Sequence, residues 1–455
     1  NKGMHPFTLM RGLCLALVAQ GAGVFAAETG YYREAGSYST RRDPDVPTYV
    51  ERVGSYDLGL DYRLRFEHRD DDIRRAVDGV DEPFLHRTRV YLGSRDKFAP
   101  FRAAAELQDA RRSGGNFAPD NRDFNQWELI RLYAELRLEH ALPGDPRGQT
   151  RPVALRYGLH NFEFLDRRLI GNNQWRNTAN VFRGFQAYVG QEANDWQVEL
   201  LSVQPLARLL GESDRPVEGQ RLWAAIGHWR RWSEVITLEP FYLRLDDDSV
   251  AGGRVVHSPG LRAYGLLGAS GWDFDVSALT QFGQAGARKV SAWAANAEFG
   301  YRFRDTWKSR LSGFFGAASG DRDPADGTDH RFERFFGFGR PWSANDYVVF
   351  ENILAPKLRY EATVSERLRF DLGYSWYRLQ STTDRFYNAA NNRDATGASG
   401  ADLGREFDVR LRWQAARGLD VTLGYAHFIA GAWMRRQVRG GDTDFAYLEL
   451  QWKLF

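Results

Sequence analysis

In the segment YDLGLDYRLRFE, Tyr56 to Glu67, apolar and polar residues alternate without a break. The apolar positions are Tyr56, Leu58, Leu60, Tyr62, Leu64 and Phe66, and the intervening positions are Asp57, Gly59, Asp61, Arg63, Arg65 and Glu67. This period of two predicts a β-strand with one apolar and one polar face. In a soluble sandwich the polar face would meet water. In a membrane barrel the apolar face meets lipid and the polar face a wet interior.

The same alternation recurs at ten or more places, and this repetition favours the membrane barrel. Clear examples are Trp272–Gly283, Ala295–Arg304, Leu368–Tyr377, Phe407–Trp413 and Leu419–Ala426. Many of these runs reach the ~9–11 residues that a tilted membrane strand needs, whereas soluble strands are typically nearer five or six residues. Aromatic residues often lie at the run ends, as the two girdles of a membrane barrel require.

The spacers between the runs come in two sizes. Short joins such as residues 304–306 and 415–418 contrast with long polar stretches at 109–125, 320–329 and 382–404. Short turns at one end and long loops at the other are typical of outer-membrane barrels. The sequence therefore predicts an all-β protein: a transmembrane, antiparallel, up-and-down β-barrel of about 18 strands (16–18), with short periplasmic turns and long extracellular loops.

The predicted domain organisation has three parts. Residues 1–26 resemble an export signal peptide, with an apolar run at 13–19 and cleavage expected after Ala26. Residues 27–52 lack alternation and are predicted to form an N-terminal periplasmic tail or plug, and residues 53–455 the barrel. The only cysteine, Cys14, lies in the signal, which excludes disulfides and cysteine metal sites from the mature chain. The terminal Phe455 resembles the signal read by the barrel assembly machinery, although it is out of phase with the apolar face of its strand.

The charge of the chain is balanced, but its basic residues are of one kind. The 61 basic residues less Lys2 and Arg11 leave 59, equal to the 59 acidic residues, so nucleic acid is not an expected partner. Only six of the 61 are lysine and 55 are arginine. Arginine presents a planar, permanently charged fork that suits carboxylates.

If lipid takes the apolar faces, the polar faces place many charges in the lumen. The candidate pore-lining and substrate-binding residues are Arg63, Arg65, Arg87, Arg89, Arg131, Arg137, Arg302, Arg304, Arg410 and Arg412, with the acids Asp61, Glu67, Glu106, Glu135, Glu298, Asp371 and Asp408. Rings of arginine select anions, and nearby acids prevent any site from binding too tightly. The alternative is that arginines and acids pair across neighbouring strands and only stiffen the barrel.

Several segments together resemble the bacterial alginate export family. They are LRYGLHNFEFLDRRLIGNNQWRNTANVFRGFQAYVG (Leu155–Gly190), AASGDRDPADGTDHRF (Ala317–Phe332), and DLGREFDVRLRW (Asp402–Trp413) with LDVTLGYAHFIAGAW after it. The resemblance implies an outer-membrane barrel of a Gram-negative bacterium that passes an alginate-like polyuronate passively. One departure concerns Gly158-Leu159-His160, where the family commonly has Gly-Arg-Gln, so an arginine that would face the pore is missing.

Other readings of the residues remain open. Within transport, the alternative is a porin for small anionic or sugar nutrients. An enzyme is not expected, since no run combines carboxylates with a recognisable catalytic setting, and no cofactor is implied. The acidic loop Asp321, Asp323, Asp326 and Asp329 is a weak calcium candidate, with a solvated loop favoured because no bidentate glutamate spacing is present. The expected partners are outer-membrane lipid, the assembly machinery, the anionic substrate and periplasmic export components.

Overall fold

The computed structural model describes residues 46–75, 78–387, 390–438 and 441–454. The predicted signal peptide, most of the predicted tail and Phe455 lie outside these residues. No helix in the described ranges is long and apolar enough to cross a membrane.

Eighteen long strands form one closed antiparallel sheet, as predicted. In chain order they are β1 (Tyr56–Asp70), β2 (Pro83–Phe98), β3 (Phe101–Gly114), β4 (Asn125–Leu142), β5 (Arg151–His160), β6 (Phe182–Val189), β7 (Trp196–Ala207), β8 (Gln220–Trp229), β9 (Ile236–Asp247), β10 (Arg254–Leu266), β11 (Trp272–Ala285), β12 (Arg288–Arg302), β13 (Arg310–Ala318), β14 (Ile353–Ser365), β15 (Leu368–Arg378), β16 (Asp402–Ala416), β17 (Leu419–Ala430) and β18 (Thr443–Lys453). Each strand pairs with the next, and β18 pairs with β1, so that Arg65 lies opposite Glu449. Closure removes the unpaired edges that an open sheet would expose to lipid.

The two ends of the barrel differ as the spacers predict. At one end the strands join through short turns, such as residues 99–100, 366–367 and 417–418. At the other end three long loops, residues 161–181, 319–352 and 379–401, join β5 to β6, β13 to β14 and β15 to β16. By the usual layout of outer-membrane barrels, the short turns are periplasmic and the long loops extracellular.

Side chains alternate between lipid and lumen in the predicted sense. On β1 the residues from Asp57 to Arg69 at odd positions are buried inside the barrel, with Asp61 fully covered. Large apolar side chains point outward, and Leu92 and Leu155 are about half exposed. The polar face therefore turns inward and the apolar face outward, since only lipid tolerates such an exposed apolar surface.

Short elements complete the fold. The two-residue strands are Val80–Asp81, Arg215–Pro216 and Thr328–Asp329, the 3-10 turn is Leu165–Arg167, and the single short helix of the described residues is Ala432–Gln437. A four-residue strand, Val50–Val53, pairs with the first residues of β1. Just before it, Tyr49 packs against the inner-face residues Tyr91 and Ala104 and donates a hydrogen bond to Glu106. The described end of the predicted tail thus reaches the inner wall of the barrel.

Candidate functional site: the channel lumen

Most of the predicted pore residues lie on the inner wall. Arg63, Arg65, Arg87, Arg89, Arg131, Glu106, Asp371 and Asp408 are buried inside the barrel. Four further arginines are partly accessible: Arg137, Arg410, Arg412 and Arg302. The exposed fraction of the side chain rises from 12% at Arg137 and Arg410 to 44% at Arg302. Their role in binding a substrate stays a prediction.

The prediction for Arg304 is wrong in its position. We expected the strand that begins near Ala295 to continue to Arg304, but β12 ends at Arg302. Arg304 is exposed in the turn 303–309, at the end of the barrel with the short connections. The chain must reverse direction here before β13 begins at Arg310. The alternation of apolar and charged residues continues through Phe303 and Arg304, so the sequence alone does not show that the strand has already ended.

Three of the predicted arginines hold a loop and do not point into open space. The β5–β6 loop, residues 161–181, folds into the barrel instead of outward. Arg63 donates to the main-chain carbonyls of Gln174 and Arg176 at 3.0 and 2.8 Å, and Arg87 donates to the Gln174 carbonyl at 3.0 Å. Arg89 donates to the side-chain oxygen of Gln174. The loop is therefore fixed to the wall formed by β1 and β2.

Asn177 ties the same loop to three further points. Its buried amide lies 3.0, 3.1 and 2.8 Å from the carbonyl oxygens of His86, Arg111 and Asp123, which belong to β2, β3 and the β3–β4 loop. Its side-chain oxygen accepts a hydrogen bond from Arg63 at 3.2 Å. Since buried polar groups must be satisfied within the protein, this residue fixes both the depth and the orientation of the loop.

A second loop, residues 319–352 between β13 and β14, also enters the lumen. It pairs with the first loop through main-chain hydrogen bonds between Gly171 and Phe336 and between Phe336 and Leu169. Gly337 lies so close to Arg168 that an added Cβ would stand 1.8 Å from its carbonyl oxygen. The contact between the two loops thus depends on a residue without a side chain.

The two loops and the wall share a hydrophobic core inside the barrel. Loop residues such as Phe164, Ile170 and Trp342 pack against inward residues of β7 to β9, among them Val203 and Leu243. The expectation that the inward face is polar and meets a wet interior is therefore wrong on this side, because the inner face of β7 to β9 is largely apolar beside the loops. Solvent and solute are restricted to the part of the lumen that the loops leave free.

Trp175, at the tip of the first loop, lies between basic side chains. The guanidinium groups of Arg65 and Arg340 each lie 4.0 Å from the centre of its ring. The adjacent Arg176 forms an ion pair with Asp346 of the second loop at 2.7 Å. Cation–π and ionic contacts thus join the loop tip to β1 and to the second loop. A small, partly open cavity beside it is lined by Arg65, Glu67, Arg69, Arg74, Arg122, Asp123, Trp175, Arg176 and Asn177 among others.

A basic stretch runs along β14, β15 and β16 on the inner wall. Asp371 lies 2.9, 3.1 and 3.2 Å from nitrogen atoms of Arg359, Arg410 and Arg412. Lys357 lies 3.4 Å from Asp408. These four basic residues, set against Asp371, Asp408 and the buried Glu406 on the same inner face of β16, leave an excess of one positive charge. The neighbouring Glu361 is bound to Arg310 at 2.8 Å.

Elsewhere the inner charges are closely paired. Arg65 lies 2.5 Å from Glu449, Arg131 3.1 Å from Glu106, and Arg137 2.6 Å from Glu139. Arg302 donates to Asp273 at 3.0 Å. All but the Arg137–Glu139 pair, which lies within β4, join neighbouring strands, as the alternative of cross-strand stiffening predicts. Among the predicted acids, Glu135 and Glu298 bind Arg156 and Arg310 across neighbouring strands, Glu67 binds Arg69 within β1, and Asp61 accepts a hydrogen bond from Gln451.

Outside the membrane-spanning strands, the β1–β2 loop is held by a close ion pair. Asp72 and Arg74 lie 2.6 Å apart. Burial alone would raise the pKa of the Asp72 carboxyl, but the Arg74 guanidinium outweighs burial and holds that pKa well below its usual range.

The four aspartates predicted as a weak calcium candidate do not form one site. Asp321 is bound to Arg288 at 2.5 Å and Asp329 to Arg254 at 3.0 Å, whereas Asp323 and Asp326 accept hydrogen bonds from the main chain of their own loop. In the part of the chain that the structure describes, no three acidic, histidine or cysteine side chains form a group that could hold a metal ion. The loop is stabilised by arginine instead.

Sequence reasoning missed Lys357, Arg359 and Arg340. The first two had a readable signal, because Lys357, Arg359 and Glu361 alternate with Leu358 and Tyr360 in the manner of β1. Arg340 had no such signal, because it lies in a loop and no local sequence pattern shows that this loop folds into the barrel.

The family model described as alginate export matches residues 55–445. The chain belongs to the alginate export family. No curated protein matches the sequence.

Solved structures from Pseudomonas aeruginosa share the fold. OccK2 (OpdF) superimposes with a TM-score of 0.62 at 15% identity, covering 88% of this chain and 98% of that one. OpdK with vanillate gives 0.60 at 14%, covering 88% and 99%, and OccK2 in complex with glucuronate gives 0.59 at 14%, covering 88% and 98%. The alginate export chain is thus an outer-membrane channel barrel, and the proteins that it matches are channels rather than enzymes.

Proposed function

We propose that this outer-membrane channel passes an anionic, alginate-like polyuronate through its lumen by passive movement. The observation that carries the proposal is the basic stretch on β14 to β16, where Arg359, Arg410 and Arg412 surround the carboxylate of Asp371. A uronate carboxylate has the same chemistry as Asp371 and can exchange with it among the three guanidinium groups. The partial exposure of Arg410 and Arg412 keeps these groups accessible from the lumen.

The paired charges support passage rather than tight binding. An arginine already shared with an acid offers a substrate carboxylate a modest gain, because the new contact replaces an existing one. Each uronate unit is then released as readily as it is bound. The energy for net movement comes from polymer synthesis or from the concentration gradient.

Uptake of small anionic or sugar nutrients is the second candidate, and the occupied lumen favours it. The two inward loops and their hydrophobic core narrow the passage, which suits a monomer better than a chain. A barrel of the same fold has been crystallised in complex with glucuronate, a single uronate. The two candidates therefore share carboxylate recognition and differ in the length of the solute.

Planar-bilayer recording with uronates of graded length separates the two candidates. For a polymer channel we expect anion-selective current whose block by oligouronates strengthens with each added unit until the chain spans the basic stretch. Arg410→Gln with Arg412→Gln should weaken this block about tenfold. The matched control, Arg367→Gln with Arg417→Gln, removes two charges from exposed periplasmic turns. Block by glucuronate alone, with no dependence on length, would favour the nutrient channel, and block unchanged in the lumen variant would refute the assignment to β16.

A further inference from the structure

The outer surface of the barrel carries arginines near the extracellular ends of β6, β8 and β9. Arg183 follows the buried Phe182, Arg221 precedes the buried Leu222, and Arg244 lies between two buried leucines. Since the buried neighbours point into the barrel, the three arginines point outward. Lipid, and not the lumen, therefore surrounds them.

Neighbouring aromatic residues place these arginines at the edge of the membrane. Phe185, Trp223 and Tyr242 are outward and 39–48% exposed, as in an aromatic girdle. Arg183 and Arg221 each lie two residues nearer the extracellular end of the same strand than Phe185 and Trp223. This depth corresponds to the headgroups of the outer leaflet.

The strand register groups the arginines on one patch. Arg183 lies opposite Gln204 of β7, Arg221 opposite Asp246 of β9, and Arg244 opposite Trp223 of β8. At ~4.8 Å between neighbouring strands, β6 and β9 are about 14 Å apart. The patch therefore has the width of a glycolipid headgroup rather than that of one small ion.

Two of the three arginines have only neutral partners. Arg183 donates to the Gln204 side-chain oxygen at 3.2 Å, and Arg221 donates to the Ser202 hydroxyl at 3.1 Å. Arg244 is bound to Asp246 at 2.8 Å. Among the described residues, no carboxylate forms an ion pair with Arg183 or Arg221, so their charge is available to an anion.

We propose that Arg183 and Arg221, flanked by Arg244, bind the phosphorylated headgroup of an outer-leaflet glycolipid, the chemistry of lipid A. Arginine binds phosphate through paired hydrogen bonds, and the excess charge of the patch matches an anionic headgroup. The aromatic residues below the patch contact the acyl chains of the same lipid. This site is separate from the lumen and does not depend on which solute the channel passes.

Native mass spectrometry of the refolded full chain in detergent tests the proposal. Diphosphoryl lipid A should bind the wild-type protein at one site, and dephosphorylated lipid A should bind at least fivefold more weakly. Arg183→Gln with Arg221→Gln should lower the retained diphosphoryl lipid A at least fivefold. The control pair Arg367→Gln with Arg417→Gln, at the opposite end of the barrel, should leave it unchanged.

The comparison of lipids in the wild-type protein keeps the test decisive even if a variant folds poorly, which heat-dependent gel mobility would report. Equal binding of phosphorylated and dephosphorylated lipid A would overturn the proposal, and so would an unchanged amount of bound lipid in the folded double variant. Inorganic phosphate that binds as tightly as lipid A would overturn the assignment to a lipid.

Discussion

Asn177→Ala should detach the β5–β6 loop from the barrel wall while leaving the barrel closed. The side chain is 1% exposed, and its amide lies within hydrogen-bond distance of three carbonyl oxygens on separate elements. Two amide hydrogens contribute about 1 kcal/mol each, and the bond from the Arg63 guanidinium about 2 kcal/mol. The sum of about 4 kcal/mol changes the equilibrium between attached and detached loop about a thousandfold.

The detached loop should be visible in two measurements. Single-channel recordings should gain a larger-conductance state that the wild-type channel lacks, because the loop no longer occupies the lumen. Trypsin should cleave the variant after Arg176, which lies next to the substituted residue, much faster than it cleaves the wild type. Arg63, Arg87 and Arg89 still hold Gln174 and Arg176, so we expect an added state rather than a permanently open channel.

A matched substitution controls for the loss of any asparagine. Asn116→Ala removes an exposed side chain of the β3–β4 loop that donates to the Val80 carbonyl outside the lumen. It should leave both the conductance and the cleavage at Arg176 unchanged. If Asn177→Ala behaves like Asn116→Ala, with full heat-modifiable folding in both, the loop is not fixed by this residue and the reasoning fails.

Three other substitutions test neighbouring features. Gly337→Ala places a methyl group against the Arg168 carbonyl and should cost at least about 2 kcal/mol of stability. The unfolding temperature in differential scanning calorimetry should therefore fall. An unchanged temperature would show that the loops separate freely. Asp371→Asn removes the acid that Arg359, Arg410 and Arg412 all contact. It should raise the anion-to-cation permeability ratio about twofold or more, read from the reversal potential, and a fall would contradict the proposed basic stretch. Because Arg74 lowers the pKa of Asp72, their contact stabilises the β1–β2 loop above about pH 4 and is lost as the pH falls further. The protection of this loop against hydrogen exchange, taken relative to the intrinsic rate at each pH, should therefore fall on acidification in the wild type, and Asp72→Asn should abolish that dependence.

The barrel could be predicted from the sequence because its signal is local and repeated. Each strand carries its own period of two, and the run from Tyr56 to Glu67 shows which face meets lipid once the same period recurs across the chain. The inner position of Arg63 follows from this period alone. Its actual partners do not, because Gln174 and Arg176 lie more than a hundred residues away on a loop without periodicity.

The inward course of the loops had weaker signals, and only part of them could be read. Phe162, Phe164, Leu169 and Ile170 make the β5–β6 loop unusually apolar for an exposed connection, which is a readable sign of burial. The apolar inner positions of β7 to β9, such as Val203 and Leu243, point to the same conclusion, since a wet lumen would not be lined by them. Which loop meets which wall depends on closure of the barrel and therefore on all eighteen strands.

The scarcity of lysine gains a structural reason from these contacts. Arg63 bridges two main-chain carbonyls and an amide oxygen, and Arg65 bonds Glu449 while covering the ring of Trp175. A lysine ammonium is a compact point charge and could not span such acceptors or lie flat on an aromatic ring. The arginines near the loops hold the constriction in place, whereas we propose that those around Asp371 bind a carboxylate of the solute. If this division is right, neutral substitutions at Arg63 and Arg87 should alter the size of the pore, and substitutions at Arg410 and Arg412 should alter its selectivity at unchanged size. If pore size and selectivity changed equally in the Arg63/Arg87 variant and in the Arg410/Arg412 variant, the two groups of arginines would not have separate roles.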